Sequence, residues 1–174
     1  MVETMNAVSV TRSPRSERFL LSRLLQFYLY DLSEQEPDGS DVLDFDRRGS
    51  FGRTVPPDDY WLKPDWHALT IRVAEKTAGF AFINTHSHRV AGSVERNMAE
   101  FFIARKFRRR GIATEALRQI LAMFPGHWEV AVKDTNQAAK VFWPEAIEKA
   151  GVMDVRLLDG DGSRWRGPIW AFSS

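Results

Sequence analysis

A mixed α/β domain is the fold this sequence predicts, on three observations. Strand-length apolar runs recur along the 174 residues. Between them lie stretches with the 3.6-residue apolar period of amphipathic helices, and Gly, Pro and Asp punctuate the joins. In chain order the elements read β-α-ββ-β-α-β-α-ββ. No internal repeat and no low-complexity tract interrupts them, so residues 1–174 are expected to form a single domain.

Val8 and Val10 mark a short first strand. "SERFLLSRLLQFYLYDLSE" follows as a helix, with Ser16 as its N-cap and Leu21, Leu24, Leu25, Tyr28 and Leu32 on one stripe. Ser33–Asp59 is a polar connector holding eight acidic residues against three arginines, expected to be a long solvated loop with a short helix in it. "HALTIRV" and "AGFAFIN" flank "AEKT" as a hairpin. The turn-rich "HSHRVAGSVERN" leads into the strand "MAEFFIA". Helix Ile112–Phe124 gathers Ala113, Ala116, Leu117, Ile120, Leu121 and Phe124 on one face and ends at Pro125-Gly126. "HWEVAVK" is a strand and "NQAAKVFW" opens another helix, which Pro144 is expected to break or kink. "VMDVRLL", the turn "DGDGS" and "GPIWAF" close the chain as a hairpin.

Composition narrows the function. With 44% hydrophobic and 27% charged residues the chain is that of an ordinary globular protein, long enough to bury roughly 70% of its unfolded surface. A net charge of +1 gives no global attraction to nucleic acid or anionic membrane. Without cysteine there is no disulfide, no thiolate metal site and no cysteine nucleophile. The run Phe19–Tyr30 follows three arginines but is too short to span a bilayer and is interrupted by Arg23 and Gln26. It reads as an amphipathic helix of a cytoplasmic protein. His86 and His88, two apart with no third ligand in sight, make no metal site, and none is expected elsewhere.

The stretch "AEFFIARKFRRRGIATEALRQILAMF" concentrates the chemistry. A strand meets five cations within six residues (Arg105, Lys106, Arg108, Arg109, Arg110), then Gly111, then a helix. Three readings compete: a nucleic-acid patch, an exposed turn, or a phosphate site. Nucleic acid is disfavoured, because only Phe102 and Phe107 neighbour the cations and no nucleic-acid-binding motif surrounds them. A helix N-terminus presents unpaired N–H groups and partial positive charge, and small residues at Gly111 and Ala113 let an anion approach the backbone. The spacing is neither that of a nucleotide P-loop nor of a dinucleotide fingerprint.

Arg108-x-x-Gly111-x-Ala113, between a strand and a helix, resembles the acyl-CoA motif of the GNAT N-acetyltransferases, written Q/R-x-x-G-x-G/A. Asn136-x-x-Ala139-x-x-Phe142-Trp143 is similar to that family's second CoA-contacting segment, and the element order fits over nearly the whole chain. The resemblance implies a mostly antiparallel mixed sheet of six or seven strands flanked by helices, splayed between the fourth and fifth strands. It implies acetyl-CoA as co-substrate, with the backbone of Phe101, Phe102 and Ile103 along the pantetheine. The amides of Arg109, Arg110, Gly111, Ile112, Ala113 and Thr114 would wrap the pyrophosphate, and the surplus cations would meet the 3′-phosphate. Asn136 and Trp143 would contact the cofactor, although Asn136 reads equally well as a plain helix N-cap.

The implied reaction is direct acetyl transfer to an amine of a small molecule, peptide or protein. It needs a neutral amine, a stabilised oxyanion and a protonated leaving thiolate. Glu100 is the base best placed by sequence, because desolvation on the cofactor strand would raise its pKa; the competing reading is a carboxylate paired with Arg105 or facing solvent. Strand parity sets Glu100 with Phe102 and Ala104, opposite Ala99, Phe101 and Ile103, an arrangement a bulge would change. Two departures stand out. Trp143 occupies the position where many relatives carry a tyrosine acid, leaving Tyr28, Tyr30, Tyr60 or water for that role. Ala131 stands where some relatives carry a glutamate, for which Glu129 is a substitute. These departures motivate a second reading, a CoA-binding module without transfer activity. The acidic connector (Asp38, Asp41, Asp44, Asp46) would border the acceptor side and attract a cationic amine. "RWRGPIW" reads either as an acceptor wall or as plain packing of Trp165 and Trp170. A homodimer is compatible with this reading; a membrane partner is not expected.

Overall fold

The computed structural model describes residues 7–36, 43–52, 55–89 and 94–174. Seven strands form one sheet in the order β1-β2-β3-β4-β5-β7-β6. They are β1 (Val8–Arg12), β2 (His67–Val73), β3 (Lys76–Asn84), β4 (Arg96–Ile103), β5 (His127–Ala131), β6 (Met153–Asp159) and β7 (Pro168–Ser173). Every neighbouring pair is antiparallel except β4–β5, which is parallel. The helices are α1 (Arg18–Ser33), α2 (Asp59–Leu62), α3 (Ile112–Met123) and α4 (Gln137–Ala150).

Two apolar clusters lie on opposite faces of the sheet. On one, α3 and α4 bury Ala116, Leu117, Ile120, Trp143 and Ile147 against Leu69, Ile71, Ile83, Trp128 and Val130. On the other, α1 and α2 bury Leu21, Leu25 and Tyr60 against Phe80, Phe82 and Phe102. This double cover explains why β2 and β3 read as continuous apolar runs rather than alternating ones. The outer edge of β1 is closed by a side chain: Gln119 of α3 donates Nε2 to Val8 O at 3.0 Å and accepts from Val10 N at 3.0 Å. An amide thus stands in for an eighth strand.

Two local expectations are corrected. Ser16 does not cap α1; it lies inside a 3-10 turn (Arg15–Glu17) that leads straight into the helix, whose N-cap is Glu17 with no side-chain cap bond. Pro144 does not break α4, which is continuous from Gln137 to Ala150. The single lost backbone bond is outweighed because Trp143, Ala146 and Ile147 are buried on either side of it, Asn136 caps the start, and Gly151 ends the helix in the left-handed region. Within the polar connector, the described residues 43–52 form a largely exposed turn. Around Asp46, whose Oδ1 accepts from Arg48 N (2.8 Å) and Ser50 N (2.9 Å), the chain turns back so that Phe45 bridges Phe51. Phe51 is then buried against the ring of Tyr30 on α1.

Candidate active site

The site begins as a defect in the sheet. β4 and β5 pair only at Arg96–Trp128 and Asn97–Glu129. Beyond that point each keeps only its outer neighbour, β4 on β3 as far as Ile103 and β5 on β7 as far as Ala131. A wedge therefore opens between them. Backbone groups of successive strand residues turn to opposite edges. Ala104 N bonds Ala78 O at 2.8 Å on the β3 side, so Phe102 faces β3 as well, whereas Phe101 and Ile103 turn toward the wedge. β3 presses closely on that committed side: a Cβ on Gly79 would lie 1.9 Å from Phe102 O.

Glu100 stands on the diverging arm. A bulge shifts the register between the Phe82–Glu100 and Ile83–Met98 pairs, inserting Ala99. Met98 and Phe101, three apart, can then both serve the α3/α4 cluster, while Glu100 keeps the face of Phe102. Ala99 departs from the parity expectation, since the bulge turns it to the α1 cluster with Phe102. Burial raises the Glu100 pKa, partly opposed by a hydrogen bond from Tyr28 and by the charges of Lys133 and His88, and leaves it at about 7. Tyr28 comes from α1 with its ring edge-on to Phe80 and Phe102. Burial, with Glu100 beside it, pushes its hydroxyl well above the ordinary tyrosine range. Tyr60 of α2 is likewise raised, to about 12, by burial against an opposing hydrogen bond from Asn84. Both phenols therefore hold their protons at neutral pH. Tyr30, 54% exposed beside Phe51, lies away from this group.

Across the wedge, Glu129 on β5 is 0% exposed. Its oxygens accept from Ser87 Oγ (2.8 Å), His88 N (2.7 Å) and Arg89 Nε (3.1 Å). Burial alone would raise its pKa; these donors, with the His88 imidazole, overcome that and hold it at about 2. Glu129 is thus a fixed anion anchoring the segment after β3, not a carboxylate poised to take a proton. Lys133, just past β5, pairs with Glu36 at 3.1 Å, so an ion pair joins the end of α1 to the β5 arm.

The cationic run divides into two parts. Arg105 and Arg108 both clasp Asp31 of α1, Arg105 at 2.7 Å. Arg108 also donates from Nε to Ile103 O at 2.6 Å, so its side chain ties the loop to β4 and α1 instead of reaching outward. Arg109 and Arg110 are exposed and make no ion pair among the described residues. Arg109 adopts φ +59 and Gly111 φ +74. α3 starts without a side-chain cap, and its first backbone bond runs from Glu115 N to Gly111 O at 3.0 Å. The N–H groups of Ile112, Ala113 and Thr114 are left over, and nothing lies within 4 Å of where a Gly111 Cβ would be. An open, uncapped helix start flanked by two unpaired arginines fits a diphosphate.

The model of the acetyltransferase (GNAT) family matches residues 31–146. The chain belongs to the GNAT family. No curated protein sequence matches it. Among solved structures, an acetyltransferase from Thermus thermophilus superposes with TM-score 0.64 at 14% identity, covering 97% of each chain. The PaiA N-acetyltransferase from Thermoplasma acidophilum, in complex with coenzyme A, gives 0.63 at 9% identity over 97% of this chain and 99% of its own. A diaminobutyrate acetyltransferase from Paenibacillus lautus, solved with its substrate and coenzyme A, gives 0.56 at 14% identity over 97% and 95%. At these identities the likeness is one of fold.

In this GNAT chain the second motif segment is structurally occupied. Asn136 Oδ1 accepts from Ala139 N at 2.9 Å, the plain N-cap role. Trp143 is buried in the α3/α4 cluster, its ring 5.5 Å from that of Phe101, so it braces the wedge strand from behind. Trp165 donates Nε1 to Val132 O at 3.1 Å and meets the His88 ring at 4.4 Å, whereas Trp170 is core. Asp44 and Asp46 are engaged in their own turn, and Asp38 and Asp41 lie outside the described residues. Among the described residues no group of three His, Asp or Glu could hold a metal ion. Sequence reasoning missed Asp31, Lys133 and the partnership of Tyr28 with Glu100. Tyr28 was visible as a member of an apolar stripe and as one of three candidate tyrosine acids, with nothing to pair it with Glu100, and Asp31 carried no signal at all.

Proposed function

We propose that this GNAT chain is an N-acetyltransferase that takes an acetyl group from acetyl-CoA and passes it directly to a primary amine of a small molecule, peptide or protein. It would act as one domain over residues 1–174, in the cytoplasm. The observation that carries the reading is the wedge between β4 and β5, ending at the uncapped start of α3. The coenzyme A in the Thermoplasma structure, and the diamine with coenzyme A in the Paenibacillus one, support it by analogy of fold.

The thioester supplies an activated acyl group; the chain supplies the rest. Amides of Gly111 to Thr114, with Arg109 and Arg110, hold the phosphates. The wedge-facing backbone of Phe101 and Ile103 lines the pantetheine, and an amide there donates to the oxyanion that develops on acyl transfer. Glu100, with a pKa of about 7, is half-ionised at neutral pH and takes the ammonium proton from the acceptor. Tyr28, whose hydroxyl bonds Glu100 and keeps its proton at neutral pH, is the tyrosine this reading assigns to protonating the leaving thiolate, the role that Trp143 cannot fill.

The test is calorimetric titration with coenzyme A and acetyl-CoA, followed by thiol release across a panel of primary amines. Micromolar binding with acceptor-dependent release is expected. Absence of binding at millimolar cofactor overturns the reading. Binding without release on any amine makes the chain a CoA-binding module instead.

A further inference from the structure

β4 and β5 leave their last shared pair, Asn97–Glu129, as two parallel arms, so equal numbers of residues climb to about equal heights. Each strand residue adds roughly 3.3 Å. Lys133 is four residues above Glu129, which sets it about level with Phe101 and Phe102 once the bulge at Ala99 is allowed for, just above Glu100. The β5 arm stays extended that far, because Val132 N donates to Pro168 O and Asp134 N to Arg166 O, both at 3.0 Å. Side chains alternate along it. Trp128, Val130 and Val132 belong to the α3/α4 cluster, so Glu129, Ala131 and Lys133 face the α1 side, the side that Glu100 shares with Phe82 and Phe102. The ion pair from Lys133 to Glu36 agrees with that direction. Two turn bonds, Gln35 N to Leu32 O and Glu36 N to Ser33 O, hold Glu36 against the end of α1, the helix whose Tyr28 bonds Glu100. A primary amine on an exposed four-carbon stem is thus slung across the mouth of the wedge, on the face and near the height of the carboxylate assigned as base.

We propose that Lys133 is an internal acceptor, a lysine that the chain acetylates on itself with acetyl-CoA held in the wedge. The role rests on the acetyltransferase reading and extends it, since an amine tethered to the β5 arm needs no binding step. The side chain leaves Glu36, swings into the wedge and gives an ammonium proton to Glu100. Its nitrogen then bonds to the acetyl carbon as the carbon–sulfur bond breaks. The thiolate departs with the bonding pair and takes up the second proton that the nitrogen sheds. In sum, an ammonium and a thioester become an acetamide, a thiol and one proton released to solvent. The acetamide carries no charge, so the tie from Glu36 to the β5 arm is lost with the reaction. The other lysines lack this placement. Lys63, Lys140 and Lys149 pair with Asp59, Asp134 and Glu145, each a few residues away in the chain. Lys76 stands at the start of β3, and Lys106 rests over the Phe107 ring in the 3-10 turn after β4.

The test incubates the full chain with acetyl-CoA and no added amine, and follows the acetylation of each lysine by peptide mass spectrometry. Lys133 should react about tenfold or more faster than any other lysine, the rest reporting the uncatalysed background. Its rate constant should not change with protein concentration, and Glu100→Gln should return it to the background. Lys133→Arg should remove the fast phase from the intact-mass record. A Lys133 rate at background, one that climbs with protein concentration, or one indifferent to Glu100→Gln overturns the proposal. If coenzyme A binds and added amines are turned over while Lys133 stays at background, the acetyltransferase reading stands and the internal acceptor alone falls. If coenzyme A does not bind, both fall.

Discussion

Glu100 ionises near pH 7 in the folded chain, against an ordinary value of 4.5, because burial disfavours its charge. The native state thus holds this proton more tightly than the unfolded chain does. Its contribution to stability is intact below pH 4.5 and is lost as pH rises through 7. Glu100→Gln should consequently raise Tm at pH 8.5, leave it unchanged near pH 4, and lower kcat by about 10²–10⁴-fold; paired thermal melts and initial rates check both. Glu129 behaves in the opposite sense. Its folded pKa of about 2 lies below the ordinary 4.5, so its stabilisation is present above pH 4.5 and lost as pH falls toward 2. Glu129→Gln should cost about 2–4 kcal/mol at pH 7 by chemical denaturation, since it leaves the donors of Ser87–Arg89 poorly matched.

At the scale of elements, α3 and α1 carry the clearest expectations. The start of α3 works because Gly111 accepts φ +74 beside open space. Gly111→Ala should weaken coenzyme A binding about tenfold, through left-handed strain and a methyl where the diphosphate approaches, with a smaller loss of stability. Calorimetry on the variant decides it. This strand–cation–glycine–helix unit was legible in the sequence because its signals are local: an apolar run, a breaker and a 3.6-residue period. The boundaries that failed were those where distant packing overrides local preference. Ser16 loses its capping role to a 3-10 turn, and Pro144 is carried inside α4 by the burial of Trp143 and Ile147. Arg108 fits the motif by position, yet its side chain is spent on Asp31, a residue 77 positions away that no spacing rule could have paired with it.

For the molecule as a whole, element order and motif pointed to the splayed sheet, and the β4–β5 pairing of only two residue pairs matches it. What no linear reading could supply was the closure of the site in three dimensions. The parity of β4 depends on a bulge at Ala99, and the partners of Glu100 come from α1, α2, the segment after β3 and the end of β5. The last turns of α1 and the residues just after it reach three parts of the site: Tyr28 meets Glu100, Asp31 clasps Arg105 and Arg108, and Glu36 pairs with Lys133. On the proposed function, a single helix end would couple the two substrate sites. If the loop before α3 holds coenzyme A and Glu100 serves the acceptor, occupancy of one site should be felt by the other. Acceptor binding is expected to tighten about fivefold or more once coenzyme A is present, with the reciprocal gain in nucleotide affinity, and Asp31→Ala should erase that cross-talk while leaving each ligand able to bind alone.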